Sequence, residues 1–261
     1  MTTDLIYLAQ DGDIATIVLN RADKKNALTQ AMWETLPRLV ATVENDPTVK
    51  ILILKSADPS VFSAGADIAE FQEIAKDPAR RESNRIAIRE GQRALARMSK
   101  PTVAEIGGAC VGGGCGLALA CDIRMAATGA RLGITPAKLG LVYSLQDAKH
   151  LLEVVGASHA KSILYSGRLV DSDEALRIGL INSVHAAEDL TNDVRRFAQS
   201  IADNSQWSVR GIKQVIRAIL EGATDDTAET QDLFRQSFDG IDHAEGVAAF
   251  LARRKPDFPF R

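Results

Sequence analysis

Apolar residues alternate or run together over Leu5 to Leu8 and Ile14 to Leu19, on either side of Asp11-Gly12-Asp13, a spacing that predicts a β-hairpin. A polar, basic loop, RADKKN, follows. From Thr29 to Val43 the apolar residues recur at helical spacing behind a threonine suited to cap the helix. Ile51 to Leu54 is a continuous apolar run, as a strand covered on both faces requires. The small residues of SAGADI, Ser63 to Ile68, read as a loop leading into a helix through Phe71 and Ile74. A long charged helix then runs from Arg80 to Met98, where Lys100-Pro101 stops it and starts a strand, Thr102 to Ile106. Short strands are predicted at Ile123 to Ala127 and Arg131 to Ile134, and from Ala148 onward the pattern is helical except at Leu180 to Val184.

The stretch from Ile106 to Asp122, IGGACVGGGCGLALACD, stands out because five of the nine residues from Gly107 to Cys115 are glycine. Gly107 and Gly108 end the preceding strand, and Gly112, Gly113 and Gly114 sit where a helix too apolar for the surface begins. A helix start presents unpaired N–H donors and the positive end of its dipole, so the glycines suit either a backbone-built site for negative charge or close packing of a buried helix. Nucleotide motifs are excluded: no Lys-Ser or Lys-Thr pair follows the glycines, and the Gly-x-Gly-x-x-Gly spacing is absent. SAGADI is a second candidate donor, since Ala64, Gly65 and Ala66 let a ligand lie against the main chain and Asp67 is placed to cap the next helix. Lys24 and Lys25 are suited either to an anionic ligand tail or to solvent. Tyr143, Ser144, Gln146 and Asp147 are the polar groups of an otherwise apolar turn, and Ser and Asp there suit a helix start equally well.

With 261 residues, 46% hydrophobic and 25% charged, the chain can bury one large core. A net charge of -3 gives no general attraction to nucleic acid or an anionic membrane. The opening MTTDLIYLAQDGD lacks the features of a secretory signal and no apolar run reaches membrane length, so a cytoplasmic location is expected. Cys110, Cys115 and Cys121 do not follow a zinc spacing and are expected as buried packing residues, with no metal site. His150, His159, His185 and His243 are read as structural, and Glu105 as paired away from the glycines.

SAGADI, the run from Lys100-Pro101 through VGGGCGLALACD, the RADKKNAL loop, SGRLVDSDEALRIGLIN and the ending AFLARRKPDF occur in an order that resembles the crotonase superfamily, the enoyl-CoA hydratase/isomerase family. The resemblance implies an α/β fold, a crotonase-like stack of ββα units with a C-terminal helical trimerisation region. Residues 1–195 would form the core with the acyl-CoA site and residues 196–261 the helical oligomerisation region, in a homotrimer or a dimer of trimers. It also implies an oxyanion hole for the thioester carbonyl, built from the backbone N–H groups of Ala66 and Gly113, with Asp67 and Gly112 beside them. Ala64 and Ile68 would line the coenzyme A groove, and Lys24, Phe250 and Arg253 would meet its nucleotide end. No separate cofactor is implied, because coenzyme A arrives as part of the substrate.

The chain departs from the family's hydratases at both glutamates that hold water there: Gly116 stands at the first position and Pro136 at the second. Positioned proton transfer contributes about two to four powers of ten. Ser144 stands where the family's aromatic dehalogenases carry a nucleophilic aspartate. The turn is similar to that of methylmalonyl-CoA decarboxylases in its Thr135-Pro136, Leu139-Gly140 and Tyr143, although those enzymes keep an acid at the place of Gly116. Three functions fit this pattern. The favoured one is decarboxylation of a malonyl-type thioester, which needs no base and so survives the loss of both glutamates, with Tyr143 orienting the substrate or donating a proton and Ser144, Gln146 or Asp147 assisting. Another is hydration or isomerisation of an enoyl-CoA by substitute groups such as Tyr143 or Asp147, and the last is an acyl-CoA-binding scaffold without turnover.

Overall fold

The computed structural model describes residues 4–260; Met1 to Thr3, at the head of the opening segment, and Arg261 lie outside the described residues. The hairpin forms as β1 (Ile6–Asp11) and β2 (Ile14–Leu19), turning at Gly12-Asp13 with Ile6 opposite Leu19. Helix α1 (Gln30–Asn45) begins where the Thr29 side chain accepts the Met32 N–H, and it buries Met32, Trp33, Leu36, Val40 and Val43 along one stripe. Then come β3 (Ile51–Ser56), β4 (Val61–Ser63), α2 (Ile68–Ala75) and α3 (Pro78–Arg97). β5 (Thr102–Ile106), β6 (Ala109–Val111) and α4 (Gly113–Leu119) make up the glycine stretch. They are followed by β7 (Ile123–Ala127), β8 (Arg131–Gly133) and α5 (Leu145–Ser166). The chain continues through β9 (Val170–Asp171), α6 (Ser172–Arg177), β10 (Ser183–His185) and α7 (Leu190–Ala202). It ends in α8 (Gln206–Leu220), α9 (Ala228–Asp239) and α10 (Ile241–Leu251).

Two sheets result, one of six strands in the order β1-β2-β3-β5-β7-β10 and one of four in the order β4-β6-β8-β9. Only β1 with β2 and β8 with β9 are antiparallel. Each of the pairs β3–β4, β5–β6 and β7–β8 sends its first strand to the larger sheet and its second to the smaller, and a helix follows each pair. This is the expected stack of ββα units. The sequence pattern misses β4, β6 and β9, which have three, three and two residues, too few to show a period. A β-carbon at Gly107 would lie 1.9 Å from the Pro59 carbonyl oxygen, so only glycine lets the β5–β6 corner pass beneath the preceding one.

The larger sheet is covered on both faces, which explains the unbroken apolar run of β3. Leu52 and Leu54 point with Ile17, Ala104 and Ile106 into the main core, while Ile51 and Ile53 point with Val103 and Met125 toward Leu190, Val194, Ala198 and Ala202 of α7. The expected division at residues 195 and 196 therefore falls inside α7, a helix whose buried stripe belongs to the core on both sides of that point. The helical arm begins at α8. Ile212, Ile216 and Ile219 of α8, Phe234 and Phe238 of α9, and Phe250 and Leu251 of α10 are exposed on it. No helix among the described residues is long and apolar enough to cross a membrane.

Candidate functional site

The RADKKN loop is the frame on which SAGADI is set. Asn26 is fully buried in a left-handed conformation, φ 50°, which asparagine tolerates better than most residues. Its side-chain amide donates to Ser56 Oγ at 2.7 Å and to the Phe62 carbonyl at 3.0 Å, and its Oδ1 accepts the Arg21 N–H at 2.8 Å. Ser63 Oγ donates to the Asn26 carbonyl at 2.8 Å and accepts the Gly65 N–H at 3.2 Å, while Ala64 N–H donates to the Lys25 carbonyl. Arg21 and Asn26 give no signal of this role in the sequence, since their partners lie far along the chain.

Around Ala66 the main chain pairs with Leu28 as one rung of a parallel bridge: Leu28 N–H donates to the Gly65 carbonyl at 2.7 Å and Asp67 N–H to the Leu28 carbonyl at 3.1 Å. Backbone groups alternate in direction along an extended chain, so the N–H of Ala66 itself faces away from Leu28. It has no acceptor among the described residues, and Ala66 is exposed. Asp67, named above as a substrate contact, uses both carboxylate oxygens within the protein. One accepts the Glu70 N–H at 3.1 Å and caps α2; the other accepts Arg21 Nη1 at 2.6 Å. The Glu70 N–H and the Arg21 guanidinium hold this carboxyl below its ordinary value.

The start of α4 faces the same loop. Gly112 N–H donates to the Gly133 carbonyl at 2.8 Å, so this predicted substrate contact ties the glycine stretch to β8. Gly113 is the first helical residue, and its N–H is one of the orphan donors of a helix start. Two close approaches bring the segments together. A β-carbon on Gly65, at φ +98°, would lie 2.8 Å from the Val111 carbonyl oxygen, and one on Gly114 would lie 2.6 Å from Ser63 Cβ. A β-carbon on Gly113 would stand 4.0 Å from Ala66 N. Two unpaired N–H groups are thus neighbours at an accessible point, an arrangement that stabilises an oxygen gaining negative charge.

Three residues along α4, on the face that Gly113 shares, lies Gly116. A β-carbon there would meet Gln92 Nε2 of α3 at 2.7 Å, the Tyr143 hydroxyl at 3.0 Å and Asp147 Oδ1 of α5 at 3.2 Å. The corner left by the missing glutamate is therefore lined by other polar groups. The Tyr143 hydroxyl and Asp147 Oδ1 are buried and have no hydrogen-bond partner. Ser144 caps α5 by accepting the Asp147 N–H at 3.1 Å, and its hydroxyl donates to Asp147 Oδ2 at 2.5 Å, which fixes the carboxylate. Burial, and then the negative charge of Asp147, raise the Tyr143 hydroxyl well above its ordinary value, so it stays protonated. The other glutamate position, Pro136, lies in a 3-10 turn and brings no acid. Gln92 escaped notice in the sequence because it sits in the charged helix α3 without a motif.

The remaining candidates separate. Ala64 and Ile68 are exposed beside Ala66, and Lys24 is exposed on the turn next to Lys25, whose carbonyl holds Ala64. Phe250 and Arg253 stand exposed on the arm, where α10 packs on α9 and Asp242 accepts from Ser205 at the start of α8. Gln146 turns instead toward a cleft of about 890 Å³ between α5, α8 and the C-terminal end of α4, which His150 also lines and which excludes Ala66, Gly113 and Tyr143. Burial pushes the His150 imidazole below its ordinary value. His185 lies between Ser183 and Asp193, His243 contacts the Phe238 carbonyl, and His159 is exposed. Glu105 accepts from Thr191 of α7, on the other side of the larger sheet from the glycines. The three cysteines are free and buried, and no cluster of metal-binding side chains occurs among the described residues.

This architecture has close counterparts. The family model for enoyl-CoA hydratase/isomerase matches residues 9–260. A crotonyl-CoA hydratase of Syntrophomonas wolfei is 33% identical over 259 residues, 99% of this chain and 99% of its own. A short-chain-enoyl-CoA hydratase of Clostridium acetobutylicum is 31% identical over 256 residues, 98% of this chain and 97% of its own. Among solved structures, one from Hyphomonas neptunium, described provisionally as an enoyl-CoA hydratase/isomerase family protein, superposes with a TM-score of 0.96 at 41% identity, covering 99% of both chains. Agreement in sequence and fold along the whole chain makes this protein a member of the enoyl-CoA hydratase/isomerase family, within the crotonase superfamily.

Proposed function

We propose that the protein hydrates or isomerises an enoyl-CoA through a thioester enolate, with Asp147 and Tyr143 taking the place of the two glutamates. The observation that carries this reading is the buried, unpartnered Asp147 Oδ1 beside Gly116, together with the Tyr143 hydroxyl. The N–H groups of Ala66 and Gly113 hold the thioester oxygen as charge moves onto it; losing one such donor typically costs 10²- to 10³-fold in rate. Asp147, held by Ser144, accepts or returns the proton, and the neutral Tyr143 hydroxyl donates a hydrogen bond beside it. Decarboxylation rests on the absence of both glutamates, and Asp147 supplies a carboxylate beside Gly116 that weakens that ground. The names of the relatives, which are hydratases, point the same way.

Ala64 and Ile68 line the approach of the coenzyme A chain and Lys24 meets its phosphates; coenzyme A comes with the substrate, and the reaction calls for no other cofactor. The exposed apolar residues of α8 to α10 support a homotrimer or dimer of trimers, in which Phe250 and Arg253 lie near the nucleotide end. The test is to incubate the protein with crotonyl-, malonyl-, methylmalonyl- and ethylmalonyl-CoA and follow products by mass, with Asp147→Asn and Tyr143→Phe in parallel. Addition of water to crotonyl-CoA or a shifted double bond, lowered at least about 100-fold by Asp147→Asn, supports the proposal. Loss of CO2 from a malonyl-type substrate restores the decarboxylase, and binding without any product leaves a scaffold.

A further inference from the structure

A separate cluster of polar side chains lies at the far edge of the larger sheet, where β10 pairs with β7 on one side alone. Val184 packs against the main core, so Ser183 and His185, opposite Met125 and Ala127, point to the other face, which α7 covers. There the Ser183 hydroxyl lies 2.7 Å from His185 Nε2, and His185 Nδ1 lies 2.6 Å from Asp193 Oδ2 in the first turn of α7. The surroundings hold these groups in place. Asp193 adjoins the fully buried Val194, and its other carboxylate oxygen pairs with Arg196. The His185 carbonyl accepts the Thr128 N–H at 2.7 Å and the Thr128 hydroxyl at 3.1 Å. The cluster is also open to solvent, since the His185 and Asp193 side chains are 19% and 21% exposed.

We infer that Ser183, His185 and Asp193 form a second catalytic site, which hydrolyses small acyl esters with Ser183 as nucleophile, His185 as base and Asp193 as the residue that positions the base. An ionised carboxylate only accepts hydrogen bonds, so His185 Nδ1 carries the proton, and Nε2 of the neutral ring accepts from the Ser183 hydroxyl. This tautomer is the one that activates a serine, with the base against the hydroxyl and the carboxylate behind the base. A purely structural tie between β10 and α7 is complete with His185 and Asp193 and does not need a hydroxyl at Nε2. The donor for the developing oxyanion is main chain. Asn182 N–H donates inward to the Arg124 carbonyl, and successive N–H groups along a strand alternate in direction, so the Ser183 N–H points to the free edge beside its own hydroxyl. In the reaction Ser183 Oγ bonds to the acyl carbon as its proton passes to Nε2; the bond to the leaving alcohol then breaks and the alcohol takes that proton. Water attacks the acyl-serine in the same way, which releases the acid and restores Ser183. A cluster at the sheet edge suits a short acyl group on a good leaving alcohol, since a long chain requires a cavity to bury it.

This site shares no residue with the acyl-CoA reading above and stands or falls without it. The probe is p-nitrophenyl acetate: nitrophenolate release is followed by absorbance and the acetylated peptide is located by mass, for the wild type, Ser183→Ala, His185→Gln, Asp193→Asn and Asp193→Glu, with urea unfolding measured for each. The wild type is expected to carry the acetyl group on Ser183 and to turn over, and Ser183→Ala and His185→Gln should each lower hydrolysis about 100-fold or more. Asp193→Asn presents an amide that can donate to Nδ1 and reverse the tautomer, so acetylation of Ser183 should slow by a similar factor, while Asp193→Glu, which keeps a carboxylate, should recover about tenfold of it. A purely structural role for Asp193 does not move the rate of Ser183 acetylation when unfolding is unchanged. Acetylation confined to lysines, turnover by the wild type no faster than that of free imidazole at equal concentration, or hydrolysis by Ser183→Ala within twofold of the wild type overturns the inference. Should the Asp193 variants fail to fold, Ser183→Ala, which removes a single hydroxyl at the sheet edge, decides alone.

Discussion

Gly114→Ala tests whether the contact between α4 and the SAGADI loop sets the spacing of the two N–H donors. The new methyl group would stand 2.6 Å from Ser63 Cβ, 2.8 Å from its Oγ and 2.9 Å from its carbonyl oxygen. Carbon atoms rest about 3.5–4.0 Å apart, so the two segments must part by about 1 Å. Gly114 adjoins Gly113, and Ser63 accepts the Gly65 N–H one residue before Ala66, so the displacement reaches both donors. An error of about 1 Å in a reacting geometry can cost on the order of 100-fold in rate, and overpacking of this kind costs about 1–3 kcal/mol of stability. The assay is exchange of the α-protons of butyryl-CoA in heavy water, read by mass, because it reports enolate formation whatever the full reaction is; urea denaturation reports stability. Gly211→Ala, on α8 with nothing within 4 Å of the new methyl group, is the control and should leave exchange unchanged while stabilising by about 0.5–1 kcal/mol. Exchange by Gly114→Ala within twofold of the wild type, at unchanged stability, would refute the idea that this contact positions the donors.

Gly113→Pro removes one donor while keeping the helix, since proline is favoured at the first helical position; exchange should fall about 10²- to 10³-fold with the circular dichroism spectrum unchanged, and an unimpaired rate would show that Gly113 N–H does not hold the oxygen. Asp67→Ala loses the α2 cap and the Arg21 partner and should cost about 1–2 kcal/mol at pH 7 by urea denaturation. Because the folded state depresses the Asp67 pKa, the wild type has this stability in full above the unfolded value of about 3.9 and loses it as pH falls through the folded value, so the gap between the two proteins should narrow in acid. Asn26→Ala empties a fully buried position that joins the RADKKN loop to Ser56, Phe62 and Ser63, and should destabilise by about 2–3 kcal/mol; loss below about 0.5 kcal/mol would mean that the loop is held some other way.

Much of this molecule is legible along the chain because it depends on neighbours in sequence. The β1–β2 hairpin follows from a polar turn between apolar runs, α1 from its threonine cap and apolar stripe, and the β5 boundaries from Pro101 before it and the glycines behind it. The small residues of SAGADI and the glycine helix start point from local sequence to two stretches of accessible main chain, and the family resemblance names Ala66 and Gly113 within them. Side-chain roles at the site were less legible. Asp67 caps α2 as its place before the helix predicts, but as a ligand contact its second oxygen is taken by Arg21, and the Gly112 N–H is taken by Gly133.

What the sequence by itself determined is the longer strands and the helices, and the family, since periodicity, capping and small-residue motifs are properties of contiguous residues. Tertiary structure alone decided the rest. β6 and β9 exist because partner strands from distant segments supply their hydrogen bonds. The surroundings of Gly116 were likewise invisible, because its missing carboxylate can be replaced by groups on α3, on α5 and in the turn before it, and only the packing of those elements against α4 brings Gln92, Tyr143 and Asp147 to one buried point.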